Sequence, residues 1–195
     1  MKRGDPLPSR VRRPAVAGMF YPAEPGALAR HIDALLAAAD PAPGPLPLAL
    51  VVPHAGTIYS GPIAASAYAR LLPHVSSIAR VVAFGPVHRV AVRGAVVPAA
   101  EAWATPLGEV PIDSTLAGAL MEAVPDLADD ASAHRREHAV EVQLPFLQVM
   151  LGRFSFVPIA VGCHDYPTLE SLGRGLARAV SAVRRSRRRA VARSW

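Results

Sequence analysis

Apolar positions along this chain alternate between helical spacing and short unbroken runs. Behind Glu24-Pro25, Leu28, His31, Ile32, Leu35 and Leu36 recur at helical spacing. Proline is favoured at a first helical position, so a helix opens there with this face inward and His31 at its boundary. The segment 40–47, DPAPGPLP, is a loop that a helix cannot cross. Residues 48–52 then form a continuous apolar run, which predicts a strand buried on both faces. A helix is expected over 62–72 with Ile63, Ala67 and Leu71 inward, and a second buried strand over 79–84. Residues 94–98 and 110–112 read as short antiparallel strands, with the chain turning at Thr105-Pro106-Leu107-Gly108. Ser114 is expected to cap a helix to Val124, and 126–136 to be polar connecting chain. A helix over 137–151 would carry Val140, Leu144, Leu147 and Leu151 inward and kink at Pro145. A third buried strand is expected over 154–161. Thr168 then caps a last helix with Leu169, Leu172, Leu176 and Val180 inward. The segment RPAVAGMFYP, 13–22, reads as a packed turn or short strand. Strands alternating with helices predict an α/β layered fold around a largely parallel or mixed sheet.

Composition narrows this further. A 195-residue chain with 51% hydrophobic and 18% charged residues fits one globular domain. Its apolar runs are too short to span a bilayer, and the basic N-terminus has no apolar signal region. The single cysteine, Cys163, excludes an internal disulfide and fits a reducing cytoplasm. The net charge of +6 is local: residues 181–195 hold six arginines and no acid, and the remainder has as many basic as acidic residues. Any attraction to nucleic acid would rest on that tail alone. The expected division is a basic flexible leader over 1–12, one domain over 13–180, and an Arg-rich tail over 181–195 outside the fold.

Sites in open α/β sheets form where loops leave the carboxyl ends of strands. His54 follows the first expected strand by two residues and His88 follows the second by four, so parallel strands would bring both imidazoles to one rim. His138 and Glu141, three apart on the expected helix, would share a face and could supply an imidazole and a carboxylate to the same pocket. The carboxylate could instead orient a histidine; Glu137 is expected to point elsewhere. Tyr59 and Ser60 offer hydroxyls near His54. Cys163 follows the third expected strand and could approach the rim. His74, His134 and His164 have no comparable context, and Asp113 and Asp165 read as turn or cap residues. Three functions compete on these residues: a metal-dependent enzyme, a non-catalytic module binding a peptide or partner protein, and a metal-independent hydrolase. The last ranks lowest, because no G-x-S-x-G nucleophile elbow is present.

The stretches RPAVAGMFYP, VVPHAGTIYSGPIAASAY, FGPVHRV, EAWATPLGEVPID, REHAVEVQLPFLQ and FSFVPIAVG resemble the Memo family, known in prokaryotes as AmmeMemoRadiSam system protein B. The resemblance implies a three-layer αβα fold like that of class III extradiol dioxygenases, whose non-haem Fe(II) is held by two histidines and a carboxylate. It implies His54, His88 and His138 as metal-site histidines, with Fe(II), copper or zinc as candidate metals. Tyr59, Arg89 and Glu141 fall within matching motifs without a defined role. AMMECR-type and radical-SAM proteins are the implied partners, and no settled reaction attaches to the bacterial family. Members continue past the last helix into a strand with a Ser-Ser-Asp-x-(Ser/Cys)-His motif that supplies another pocket ligand. In its place this chain has SAVRRSRRRAVARSW, so the expected fold is incomplete at the C-terminus, truncated or frameshifted, the alternative being a genuine basic tail.

Overall fold

The computed structural model of the chain describes residues 11–41, 43–162 and 165–192, the side chains of 183–192 excepted. Strand β1 (Val11–Arg12) leads through a turn closed by Gly18 N–H donating to Tyr21 O at 2.8 Å. Helix α1 (Pro25–Ala37) starts where the Glu24 carboxylate accepts from the free Gly26 and Ala27 N–H groups, with Pro25 in the first turn. Helix α2 (Thr57–Tyr68) runs into a 3₁₀ segment, Ala69–Ser77. Then follow β2 (Arg80–Pro86), β3 (Ala95–Val97), β4 (Ala102–Thr105), β5 (Gly108–Pro111) and α3 (Ser114–Ala123). The chain continues through β6 (Leu127–Asp129), α4 (Ala131–Arg135), a 3₁₀ turn at Glu141–Gln143, α5 (Leu144–Leu151), β7 (Ser155–Val161) and α6 (Tyr166–Ala192).

The main sheet has the order β2-β7-β3-β6. β2 runs parallel to β7 and β3 parallel to β6, whereas β3 and β7 are antiparallel. A smaller sheet, β1-β4-β5, joins a parallel pair to an antiparallel hairpin. Side chains alternate along β7 as the pleat requires. Phe156 enters a core shared with Leu28 and Ile32 of α1, Tyr68 of α2 and Phe146 of α5. Val157 and Ile159 face the opposite way, against Leu116 and Leu120 of α3 and Leu172 of α6. Helices therefore cover both faces of a mixed sheet, giving three αβα layers. Phe156, Val157 and Ile159 are fully buried, and burial of such a side chain contributes roughly 1.5–3 kcal/mol.

Several elements differ from the sequence reading. Residues 48–52 form no strand: Leu48 and Val51 are 100% and 99% exposed, and only Leu50 and Val52 touch the core. Strand formation needs a neighbour for its backbone, and an apolar run does not specify one. Among the described residues β2 is a half-buried edge strand, with Phe84 43% exposed. α2 begins five residues before Pro62 and turns Ile63 outward, 66% exposed, while Ala64, Ala65 and Tyr68 are buried. Its inward face is chosen by Gly61, where a Cβ would lie 2.8 Å from Leu35 Cδ1 of α1. β3 pairs within the main sheet, and the partner of β5 is β4 across the expected turn. Residues 126–136 hold β6 and α4, the latter capped by Asp130. The expected helix over 137–151 starts at Leu144, placing Pro145 in its first turn, where the missing N–H costs nothing. The caps expected at Ser114 and Thr168 are supplied instead by Asp113 and Asp165, both read as turn or cap residues, which accept from Leu116 N–H and Thr168 N–H. Val11 and Arg12 are not leader: they pair with Ala102 and Trp103, and Arg12 is buried. α6 continues to Ala192, through most of the Arg-rich segment 181–195.

Candidate metal centre

Three segments bring imidazoles together. Pro53-His54 lies just ahead of α2, His88 just after β2, and His138 in the turn before the 3₁₀ segment at Glu141–Gln143. One possible ligand nitrogen from each of His54, His88 and His138 lies within 4.8 Å of the others. The His88 and His138 rings stack with centroids 4.5 Å apart, and His54 stands 5.3 and 5.8 Å from them. His54 and His138 are half-buried and His88 is more open to solvent.

Each imidazole has identifiable supports. The elbow at Pro53 is held by Gln143, whose amide Nε2 donates to Pro53 O at 3.1 Å while its Oε1 accepts from Tyr68 Oη at 2.9 Å. Burial raises the Tyr68 pKa, keeping that hydroxyl a donor. Thr57 N–H and Thr57 Oγ1 both donate to Phe20 O, and Thr57 Oγ1 pairs with His31 Nε2 at 2.9 Å. This brings the Phe20 ring to 4.7 Å from His138. Gly85 lets the turn carrying His138 approach β2, since a Cβ there would stand 2.8 Å from Ala139 Cβ and 3.0 Å from Val140 Cγ2. The carboxylate of Glu137 accepts from His88 Nδ1 at 2.8 Å and from the His88, His138 and Ala139 backbone N–H groups. Burial pushes its pKa up, but the hydrogen bonds from His88 and those backbone amides outweigh it and hold it below the usual carboxylate range.

Glu141, expected to share a face with His138, points away from the cluster. It is fully buried and accepts from Tyr21 Oη at 2.6 Å, from the Ala15 and Val16 N–H groups, and from Arg12 Nη1. The carboxylate that meets an imidazole is Glu137, four residues earlier, which an intact helix would have turned aside; the non-helical path of 136–140 reverses the expected arrangement. Tyr59, 79% exposed, lines an open cavity of about 580 Å³ with Met19, Phe20, Pro53, His54 and His138. Arg89 is exposed. Its charge lowers the His138 pKa, behind the larger effects of burial and the neighbouring Glu137, His88 and His54, Glu137 alone opposing. Burial and His88 lower the His54 pKa, with Glu137 opposing. Both imidazoles therefore favour the neutral, lone-pair-bearing form. Cys163 and His164 lie outside the described residues. Sequence reasoning missed Phe20, Tyr68, Gln143 and Glu137; of these only Glu137, beside His138, had a signal within reach.

A family model described as Memo-like protein matches residues 12–192. The chain belongs to this family. MEMO1 family proteins of Methanopyrus kandleri and Pyrobaculum arsenaticum are each 40% identical to it, over 85% and 88% of this chain. That of Aquifex aeolicus is 41% identical over 86%. The aligned part spans 61%, 63% and 61% of those three relatives, so the chain covers about three fifths of the length of the family members it matches. Among the described residues no helix is long and apolar enough to cross a membrane.

Proposed function

We propose that this Memo-like protein binds a divalent transition metal at His54, His88 and His138, with Fe(II) the leading candidate and copper or zinc the alternatives. The observation that carries this reading is the convergence of three ligand nitrogens within 4.8 Å of one another, from three separate segments. The donor chemistry fits: imidazole suits iron, copper and zinc, and burial favours the neutral form that binds them. His138 Nδ1 is moreover buried without a hydrogen-bond partner. When bound, such a metal would supply a Lewis-acid or redox centre in a pocket otherwise walled by Met19, Phe20, Pro53 and Tyr59. Those apolar and aromatic walls suit a small ligand with an apolar body, as in the extradiol-dioxygenase class.

Anaerobic loading with Fe(II), followed by metal analysis, tests this. Metal is expected in the wild-type chain and absent from the double variant His54→Ala with His88→Ala. Metal-free wild-type protein after loading overturns the reading. The exposed rim formed by Met19 and Tyr59 favours one second reading, a binding module that uses the same pocket for a peptide or partner protein. Partner association that survives loss of both histidines would mark that module.

A further inference from the structure

We propose that Glu137 is a positioning residue for the histidine cluster, selecting the His88 tautomer and fixing the distance between His88 and His138. The inference rests on the metal-site reading for its purpose, but its geometry is independent of it. Glu137 is 3% exposed, and both carboxylate oxygens are spent on donors. Oε2 accepts from His88 N–H at 2.5 Å. Oε1 accepts from His88 Nδ1 at 2.8 Å, His138 N–H at 2.8 Å and Ala139 N–H at 3.0 Å.

An ionised carboxylate only accepts hydrogen bonds. The contact at His88 therefore requires the proton on Nδ1, which leaves the lone pair on Nε2 as the nitrogen available to a cation. A carboxylate behind a ligating imidazole fixes the ring and makes its other nitrogen more basic. The same oxygen draws in a second segment through the His138 and Ala139 amides. His138 Nδ1 also lies 3.2 Å from it, without hydrogen-bond alignment. One acid thus sets the orientation of one imidazole and the backbone position of another. With four donors already on its oxygens, Glu137 serves the site through those two histidines rather than as a ligand. Among the described residues the loop after β2 and the turn before the 3₁₀ segment share no backbone pairing in a sheet; this carboxylate, the His88–His138 ring stack and the close approach at Gly85 link them.

The test has two readouts on the full chain. Long-range nitrogen–proton NMR of the metal-free protein at pH 7.5 reads the tautomer of His88. The expected result is protonation at Nδ1 in the wild type and loss of that preference in Glu137→Ala. Competition of Co(II) against a fluorescent chelator reads affinity, expected to fall about 10–100-fold in Glu137→Gln and in Glu137→Ala. A wild-type His88 protonated at Nε2, or Co(II) affinity unchanged in both variants, overturns the proposal. Should neither variant fold, the wild-type tautomer alone decides. Should the wild type bind no Co(II), the metal reading fails while the tautomer still decides the role of Glu137.

Discussion

Two buried carboxylates four residues apart, Glu137 and Glu141, are each surrounded by donors, yet they face opposite parts of the molecule. Glu137 faces two imidazoles. Glu141 faces Arg12, the Tyr21 hydroxyl and the amides of Ala15 and Val16, and so fastens the N-terminal segment to the turn that carries His138. Arg12 adds to this clamp: its Nε donates to His134 O at 2.8 Å, its Nη2 donates to Glu137 O at 2.6 Å, and its guanidinium lies 4.1 Å over the Trp103 ring. Burial, then the charge of Glu141, push the Tyr21 pKa up, so its hydroxyl remains a donor. Removing one partner strands a buried charge, and such losses cost about 3–5 kcal/mol. Glu141→Ala should therefore destabilise the fold by about that amount in urea denaturation, and a loss below ~1 kcal/mol would show that water reaches Arg12. Residue spacing put Glu141 on the face of His138 and Glu137 elsewhere, and the backbone path of 137–143 reversed that.

At the scale of elements, the site depends on contacts between segments that are distant in sequence. β2 and the 138–140 turn meet because position 85 has no side chain. Gly85→Ala forces Ala139 and Val140 away or bends β2, and overpacking of this kind costs about 1–3 kcal/mol. The same displacement should weaken Co(II) binding, whereas Gly118→Ala, with open space around its Cβ position, should leave it unchanged. Equal affinities in the two variants would show that the turn does not depend on that contact. Local signals were reliable where the cause is local. Glu24-Pro25 opens α1, and Thr105-Pro106-Leu107-Gly108 turns the hairpin of β4 and β5. They failed where a partner decides the outcome: 48–52 has strand chemistry but no strand, and α2 presents small residues inward because α1 approaches at Gly61.

For the whole molecule, His134 ties the layers together. It is buried, donates through Nε2 to Val96 O at 3.1 Å, and packs its ring edge-on to Trp103. Burial lowers its pKa to about 4, with Arg12 adding to the shift, while Val96 O, Asp130 and Glu137 oppose it. The unfolded chain therefore binds this proton more readily than the folded one between about pH 6.5 and 4. Above that window the effect is absent, and folding stability should fall as pH drops through it. The loss is roughly 3 kcal/mol at about 1.36 kcal/mol per pKa unit. His134→Gln should remove this acid sensitivity; urea denaturation at pH 7 and pH 4.5 measures it, and an unchanged pH slope would show that another group sets it.

Family membership and the alternation of strands and helices are properties of linear order, because motif and spacing are local. His54, His88 and His138 stand out by motif, although the strand expected before His54 and the helix expected around His138 do not form. The tertiary structure decided which carboxylate supports them, which faces of β2 and α2 lie inward, and that Arg12 belongs to the core. Each of those outcomes depends on a donor, an acceptor or a close approach supplied by a distant segment. Spacing along one segment carries no information about such a partner.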